Sequence, residues 1–333
     1  MENIILIDFP KADEWEFKKE LNKKTNLEWK EIEFVSNNIR KNKIDNIVRY
    51  LKYIYFPFKI FRNRKKYKNI IAWQQFYGIL FAFYSRLFHV KKHNKLIVMT
   101  FIYKPKKGFK GKIYYKFVKY AIESKYIDKL VCFSKKECEE YPTIFNVDKS
   151  KFEYCKLGIK TIQVKDDNTI SNRILSCGRS NRDYKFLYET LHQSKYELDI
   201  ISDECKLTNT KNITIYNNIY GQEYFEMLKK SYIVVIPLEN KDISAGQLVI
   251  LQAMQLGKPV ICTESNTAID YIQDGENGFI VEKDKDKLLQ KIEILYKDKE
   301  LYRQISNNEI ECFKNNYSIT ALGMQISQIF KKL

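Results

Sequence analysis

Short β-rich runs alternate with helical segments through the C-terminal half of this 333-residue chain, and that alternation constrains its fold more than any other feature. The runs are RILSC (173–177), LDIIS (198–202), ITIYN (213–217), YIVVIPL (232–238), PVICT (259–263) and GFIV (278–281). Between several of them lie YKFLYETLHQS, GQEYFEMLKKS and GQLVILQAMQL. The pattern predicts βα units, hence an α/β fold with a parallel sheet covered on both faces. Ligands of such sheets sit beyond the carboxyl ends of the strands.

The N-terminal half repeats the scheme less cleanly. IILIDF, WKEIEFV, NIIAW, KLIVMTF and KLVCFS read as strands, and residues 47–60, 76–89 and 112–124 as helices. No Gly-rich loop follows the first strand, so this half carries no dinucleotide fingerprint. The polar, non-periodic stretch LGIKTIQVKDDNTISN (157–172) reads as the boundary. The expected organisation is one Rossmann-like domain over 1–160, a second over 161–316, and a helix at 317–333 that packs back toward the first.

Composition narrows the class. The longest apolar segment, IIAWQQFYGILFAFYSRLF, carries Gln74, Gln75 and Arg86 and reads as soluble rather than as a bilayer span. The opening MENIILIDF lacks a basic n-region and reads as a core strand, not a secretory signal. Seven scattered cysteines and three histidines offer no metal-ligand spacing and fit reduced thiols in a cytoplasm. The net charge of +17 is concentrated: residues 1–160 hold 36 basic and 17 acidic side chains. Between Arg40 and Tyr120 there are 22 basic residues and one acidic, Asp45. Such a field suits an anionic partner, whether nucleic acid, anionic lipid or a pyrophosphate-bearing substrate, although a solvated basic surface is the plain alternative.

Two stretches suit phosphate. In SCGRSNRDYKFL (176–187), Gly178 permits a tight turn at a strand end, and Arg179, Arg182 and Lys185 offer cations beyond it. Asp183 pairing with one of the arginines is the structural alternative. In ISAGQLVILQAMQLGKPVICTE (243–264), Ser244 and Gln247 form a capping-box pattern. Ala245 and Gly246 then open a helix whose first amides could seat a phosphate, Gly246 presenting no side chain to obstruct it. The segment DYIQDGENGFIV (270–281) reads as a helix end, Asp274-Gly275 and Asn277-Gly278 turns, and a strand.

The order of the Gly-Arg loop, "QAMQLGKPVI" and "DYIQDGENGFIV" resembles the C-terminal half of glycosyltransferase family 4 (glycosyl transferases group 1). The resemblance is specific over residues 173–295 and weaker before them, where KLGI (156–159) and Ser134 still resemble family segments. It implies two Rossmann-like domains facing each other across a cleft, the glycosyltransferase-B fold, and retaining sugar transfer. The donor would be a nucleoside-diphosphate sugar, UDP-sugar favoured over GDP-sugar, with no further cofactor and no metal. Arg179 or Arg182, with Lys185, would meet the diphosphate, and Gly178, Ser244, Ala245, Gly246, Gln247 and Gln252 would bind the donor. The family's paired glutamates fall on Ser244 and Gln252; an amide still hydrogen-bonds a ribose diol, without charge assistance. This departure keeps open a non-catalytic sugar-nucleotide or glycan-binding module of the same fold.

The acceptor is expected on the basic N-terminal domain, with Gln74, Gln75, Thr100, Tyr103 and Lys104 as candidates at strand ends. It would be a polyprenyl-diphosphate-linked glycan of a capsule, O-antigen or exopolysaccharide. YLKYIYFPFKIF (50–61), followed by Arg62, Arg64, Lys65, Lys66 and Lys68, suits the headgroups of an anionic membrane surface. The expected location is the cytoplasm, peripherally at the inner face of the membrane. Nucleic acid is not an expected partner, for no nucleic-acid module is recognisable.

Overall fold

Ile4, Ile5, Leu6 and Ile7 are fully buried, and a run apolar on both faces can only be an interior strand of a sheet with helices on either side. The computed structural model, which describes residues 1–11, 13–34, 43–163, 169–243 and 245–333, places that run so. Two compact units result, Met1–Lys156 with Leu322–Leu333, and Leu157–Ala321.

The first unit begins β1 (Glu2–Ile7), α1 (Glu16–Thr25), β2 (Trp29–Glu33) and α2 (Lys43–Arg62). It continues β3 (Tyr67–Ala72), α3 (Gln75–Leu87), β4 (Lys95–Val98) and α4 (Gly108–Ile122), then β5 (Lys129–Cys132), α5 (Lys135–Phe145) and β6 (Phe152–Tyr154). Its six strands are parallel in the order β2-β1-β3-β4-β5-β6. Rings weld α2 to the sheet and to α3: Phe56 stacks on Phe34 at 4.7 Å and meets Tyr77 edge-on at 4.9 Å. Each such ring withdrawn from water contributes about 1.5–3 kcal/mol.

The second unit runs β7 (Arg173–Cys177), α6 (Tyr184–Leu191), β8 (Glu197–Ile201), β9 (Ile213–Tyr216), α7 (Gly221–Lys230) and β10 (Ile233–Ile236). Then come α8 (Gln247–Gln255), β11 (Val260–Thr263), β12 (Phe279–Val281), α9 (Lys285–Lys297) and α10 (Lys299–Cys312). The sheet is again parallel, in the order β12-β11-β10-β7-β8-β9. At its amino edge Arg173 clamps Asp199 through two bonds, of 2.9 and 2.7 Å, fixing β7 against β8. The last helix, α11 (Ile319–Lys331), carries Phe330 against Trp29 of β2 at 5.4 Å.

The doubly wound α/β class expected from the sequence is what folds. Every strand expected in the second unit forms within about two residues of its expected ends. In the first unit α1, α5 and β6 were not anticipated. The helix expected at 47–60 extends over Lys43–Arg62. The apolar segment at 70–88 divides between β3 and α3. Among the described residues, no helix is long and apolar enough to cross a membrane.

Candidate functional site

The order of the second sheet reverses at β7: β8 and β9 lie to one side, β10 to β12 to the other. The crevice outside the carboxyl ends of β7 and β10 is therefore the switch point, where open α/β sheets take ligands. The residues there are Gly178, Arg179 and Arg182 after β7, and Leu238 and Ala245–Gln247 after β10.

Gly178 adopts φ +114°, a conformation that L side chains rarely enter. A Cβ there would also stand 2.6 Å from the Arg182 Nη2 atom. Arg182 is thus tucked beneath the turn: its Nε donates to the Cys177 carbonyl at 3.0 Å and its Nη1 to the Ser180 carbonyl at 2.8 Å. An antiparallel bridge between Arg182 and Leu238 ties this loop to the segment after β10. The guanidinium braces the loop from inside.

Gly246 caps α8 at φ +93°, with no side-chain cap, and the Ile250 amide donates to its carbonyl at 3.0 Å. The expected capping box is not the start that forms. The helix begins one residue past Gly246, so Gln247 stands at its first position rather than its third. Ser244 lies outside the described residues. Ala245 is buried beside this start. The first-turn amides of α8 remain a partial positive charge at the switch point.

Beside the switch point a recess of about 240 Å³ opens between the ends of β7 and β8, the first turn of α7 and one face of α8. Gly178, Arg179 and Gln252 line it. Arg179 is 61% exposed, pairs with Asp203 at 3.3 Å, and lies over the Tyr220 ring at 5.4 Å. Asp203 also accepts from the Tyr220 phenol and from the Asn218 amide at 2.8 Å. Those bonds, with Arg179 nearby, hold its carboxyl below the usual range. On the opposite wall the Tyr224 phenol donates to Gln252 Oε1 at 2.8 Å and lies 3.5 Å from Cys177 Sγ. Burial pushes both the Tyr224 phenol and the Cys177 thiol up, so both stay protonated.

Lys185 is elsewhere. It sits on α6, 80% exposed, 3.9 Å from Glu189. Asp183 takes Lys283, not an arginine, as its ion-pair partner and caps α6 by accepting from the Phe186 amide at 2.9 Å. The structure therefore brings Gly178, Arg179 and Gln252 together, places Arg182 and Gly246 at the adjoining switch point, and leaves Lys185 on an outer helix. Asp203, Tyr220 and Tyr224 were missed. A signal existed for Asp203, which follows the end of β8 as Arg179 follows that of β7.

In the first unit the acceptor-side candidates have structural occupations. Gln74 accepts from the Phe76 amide and caps α3. Gln75 accepts from the Ile102 amide at 3.1 Å, and Thr100 donates to the Trp73 carbonyl at 2.9 Å. Tyr103 is buried, stacked on Tyr114 at 5.6 Å, while Lys104 is exposed. The ring-rich stretch 50–61 corrects its reading as a headgroup-facing surface: Phe56, Ile60 and Phe61 are core residues, because α2 needs them to seal against α3. Exposed apolar residues of this unit include Leu51, Ile54 and Tyr55 on α2, and Phe109 and Ile113 on α4. Among the described residues no group of three or more His, Cys, Asp or Glu is placed to hold a metal.

Two parallel six-stranded sheets of this order, the second with a recess beside its switch point, define the glycosyltransferase-B architecture. Solved structures of that kind superpose over the chain. HepE of Anabaena, determined in complex with UDP-glucose, does so at TM-score 0.67 and 12% identity, with all of both chains covered. Sucrose-phosphate synthase of Thermosynechococcus elongatus does so at TM-score 0.71 and 14% identity, covering 100% of this chain and 99% of that one. Residues 193–311 match the family described as Glycosyl transferases group 1, in agreement with the resemblance of the C-terminal half to glycosyl transferases group 1. The capsular polysaccharide biosynthesis glycosyltransferase CapM of Staphylococcus aureus is 28% identical over 130 residues, 39% of this chain. The chain spans about a third of the length of that curated relative, 33%.

Proposed function

We propose that the protein is a retaining glycosyltransferase that moves a sugar from a nucleoside diphosphate to a glycan acceptor in surface polysaccharide synthesis. The observation that carries this reading is the recess of the second unit, lined by Arg179, Gln252 and the first turn of α8 beside the switch point of the sheet. Charge builds on the departing diphosphate as the glycosidic bond breaks, and fixed cations and amides aimed there lower the barrier most. Arg179 meets the diphosphate, Arg182 holds the Gly178 turn in shape, and Lys185 joins them by swinging off Glu189. The Gln252 amide faces the ribose. UDP-sugars are the favoured donors, in keeping with the UDP-glucose named for HepE and the capsular role named for CapM.

Thermal shifts against a panel of UDP-, GDP- and CDP-sugars test the reading. Stabilisation grows with ligand concentration over its dissociation constant, so a donor at about a hundred times that constant contributes about 2.7 kcal/mol. A flat response across the panel rejects it. The substitution of both family glutamates, by Ser244 and Gln252, favours one rival, a binding module without turnover. Donor hydrolysis and transfer assays separate the two.

The acceptor in this proposal is a polyprenyl-diphosphate-linked glycan, reached from the cytoplasmic face of a membrane. Phe109 (77% exposed) and Ile113 (53%) project one helical turn apart from α4, among exposed Lys106, Lys107, Lys110, Lys112 and Lys116. Exposed apolar side chains ringed by amines suit anionic headgroups. Flotation with vesicles of phosphatidylglycerol and of phosphatidylcholine checks this. Binding should require the anionic lipid and fall in the double variant Phe109→Ser, Ile113→Ser.

A further inference from the structure

An arginine–aspartate pair joins β7 to β8 near their amino ends, and another joins the loops beyond their carboxyl ends. The two differ in kind. Arg173 holds Asp199 through two bonds, of 2.9 and 2.7 Å, with the aspartate side chain 13% exposed. Arg179 reaches Asp203 through a single bond of 3.3 Å, with side chains 61% and 32% exposed. A short bidentate fork is the strong form of this pair, and a long single contact in water contributes little. The first pair fastens two strands, and the second is free to part.

Asp203 keeps partners of its own. The Tyr220 phenol donates to it, and so does the Asn218 amide, at 2.8 Å, presented from φ +59°. Those two bonds are the leading reasons that its carboxyl is held below the usual range, and Arg179 is a lesser one. The carboxylate is therefore satisfied whether or not the guanidinium stays. Arg179 in turn lies over the Tyr220 ring, 5.4 Å from its centroid, a platform that steadies a cation without adding a second charge. Arg179, Asp203 and Tyr220 follow β7, β8 and β9, and all of them line the recess of about 240 Å³.

We propose that Asp203 is a latch on this recess, occupying Arg179 until a phosphate group of the ligand takes the guanidinium from it. A nucleoside carries no charge to compete with the carboxylate, whereas a diphosphate offers oxygens that suit the arginine fork. After the exchange the Asp203 charge stays on Tyr220 and Asn218 beside the bound anion, which it repels. Asp203 takes the guanidinium back as the nucleotide leaves. It is a positioning residue that acts through Arg179, and it selects for phosphate charge at the expense of affinity. The inference rests on the nucleotide-donor reading of the recess and adds this selection to it.

Isothermal titration with uridine and with UDP reads the exchange in the wild type and in Asp203→Asn, whose amide oxygen still accepts from Tyr220 and Asn218. UDP should bind the variant about two- to fivefold more tightly, which is the reach of an exposed ion pair. Uridine, bound weakly or not at all, should not change. The gain should vanish when Arg179→Ala is added to both proteins. Should Asp203→Asn not melt cooperatively, Asp203→Ser supplies the comparison, its hydroxyl still accepting from the same donors. Equal or weaker UDP binding by the variant overturns the inference while the donor reading stands. A gain that uridine shares, or that survives in Arg179→Ala, overturns it too. No UDP binding by the wild type removes the donor reading itself, and the latch falls with it.

Discussion

The Tyr224 phenol lies between two side chains from different elements, donating to Gln252 Oε1 at 2.8 Å and standing 3.5 Å from Cys177 Sγ. This bond orients the Gln252 amide, leaving its NH₂ group to serve a ligand. A glutamate could also accept from Tyr224 but would offer the recess only oxygens and a charge. Charge-assisted bonds are roughly twice as strong as neutral ones, so Gln252→Glu should tighten UDP-sugar binding about fivefold. Gln252→Leu should destabilise the fold by about 1–3 kcal/mol, because the buried phenol loses its acceptor. Isothermal titration and urea unfolding check the two changes.

The three cations of the Gly178 loop should separate by phenotype. Arg179→Ala should lower turnover by about one to three decades with little effect on unfolding, since its contacts are on the surface. Arg182→Ala should lower turnover to a similar degree and also destabilise, for two backbone carbonyls lose their donor. Lys185→Ala should leave stability within about 0.5 kcal/mol and lower turnover by about one decade or more if the side chain swings in as proposed. Near-normal rates in both Arg182→Ala and Lys185→Ala reject the diphosphate assignment.

Gly178→Ala should be more disruptive than its size suggests. The new methyl would be strained at φ +114° and strike the Arg182 guanidinium. A loss of about 2 kcal/mol or more in urea unfolding is expected, together with a weaker UDP-induced thermal shift. Gly246→Ala has room for its methyl, so only the backbone penalty of about 1–2 kcal/mol should register.

Stability should respond to pH through Lys258 and Glu309, both buried at the amino edge of the second sheet. Burial is the leading cause for each and moves both toward their neutral forms: Lys258 is lowered to about 8, and Glu309 is raised well above its ordinary value. The unfolded chain binds more protons at Lys258 between about pH 8 and the ordinary value of 10.5, so that residue makes stability rise with pH there. Lys258→Met should flatten the rise, worth up to roughly 3 kcal/mol. Glu309 acts oppositely: above 4.5 the folded state holds the extra proton, so stability falls as pH rises toward the folded value. Glu309 Oε2 has no hydrogen-bond partner, and Glu309→Gln should raise the Tm at pH 7. Melting curves across pH read both effects.

The second sheet was legible because its strands are continuous apolar runs with Gly, Pro and Asn between them, a pattern that few structures share. RILSC became β7 without a residue's change. In the first unit α1 escaped notice because EFKKELNKKT is short and buries only Phe17 and Leu21. The rings of 50–61 misled for a related reason: an interleaved Tyr–Phe–Lys stretch looks the same whether its rings face a membrane or another helix, and only α3 decides. At the recess, the glycines and Arg179 could be read from strand ends, since backbone chemistry there is local. Arg182's inward fold and the Tyr224–Gln252 bond could not, for both depend on neighbours brought together only by the sheet order.

Residues 322–333 complete the first unit, although the whole second unit lies between them and Lys156. Trp29 meets Phe330, and Gly323 lies so close to α1 that an added Cβ would be 2.9 Å from the Phe17 carbonyl. On the ribosome the first unit must therefore wait, its α1–β2 flank uncovered, until all of the second has emerged. The domain begun first is the one finished last, and chaperones that shield nascent apolar surface should engage it throughout that delay.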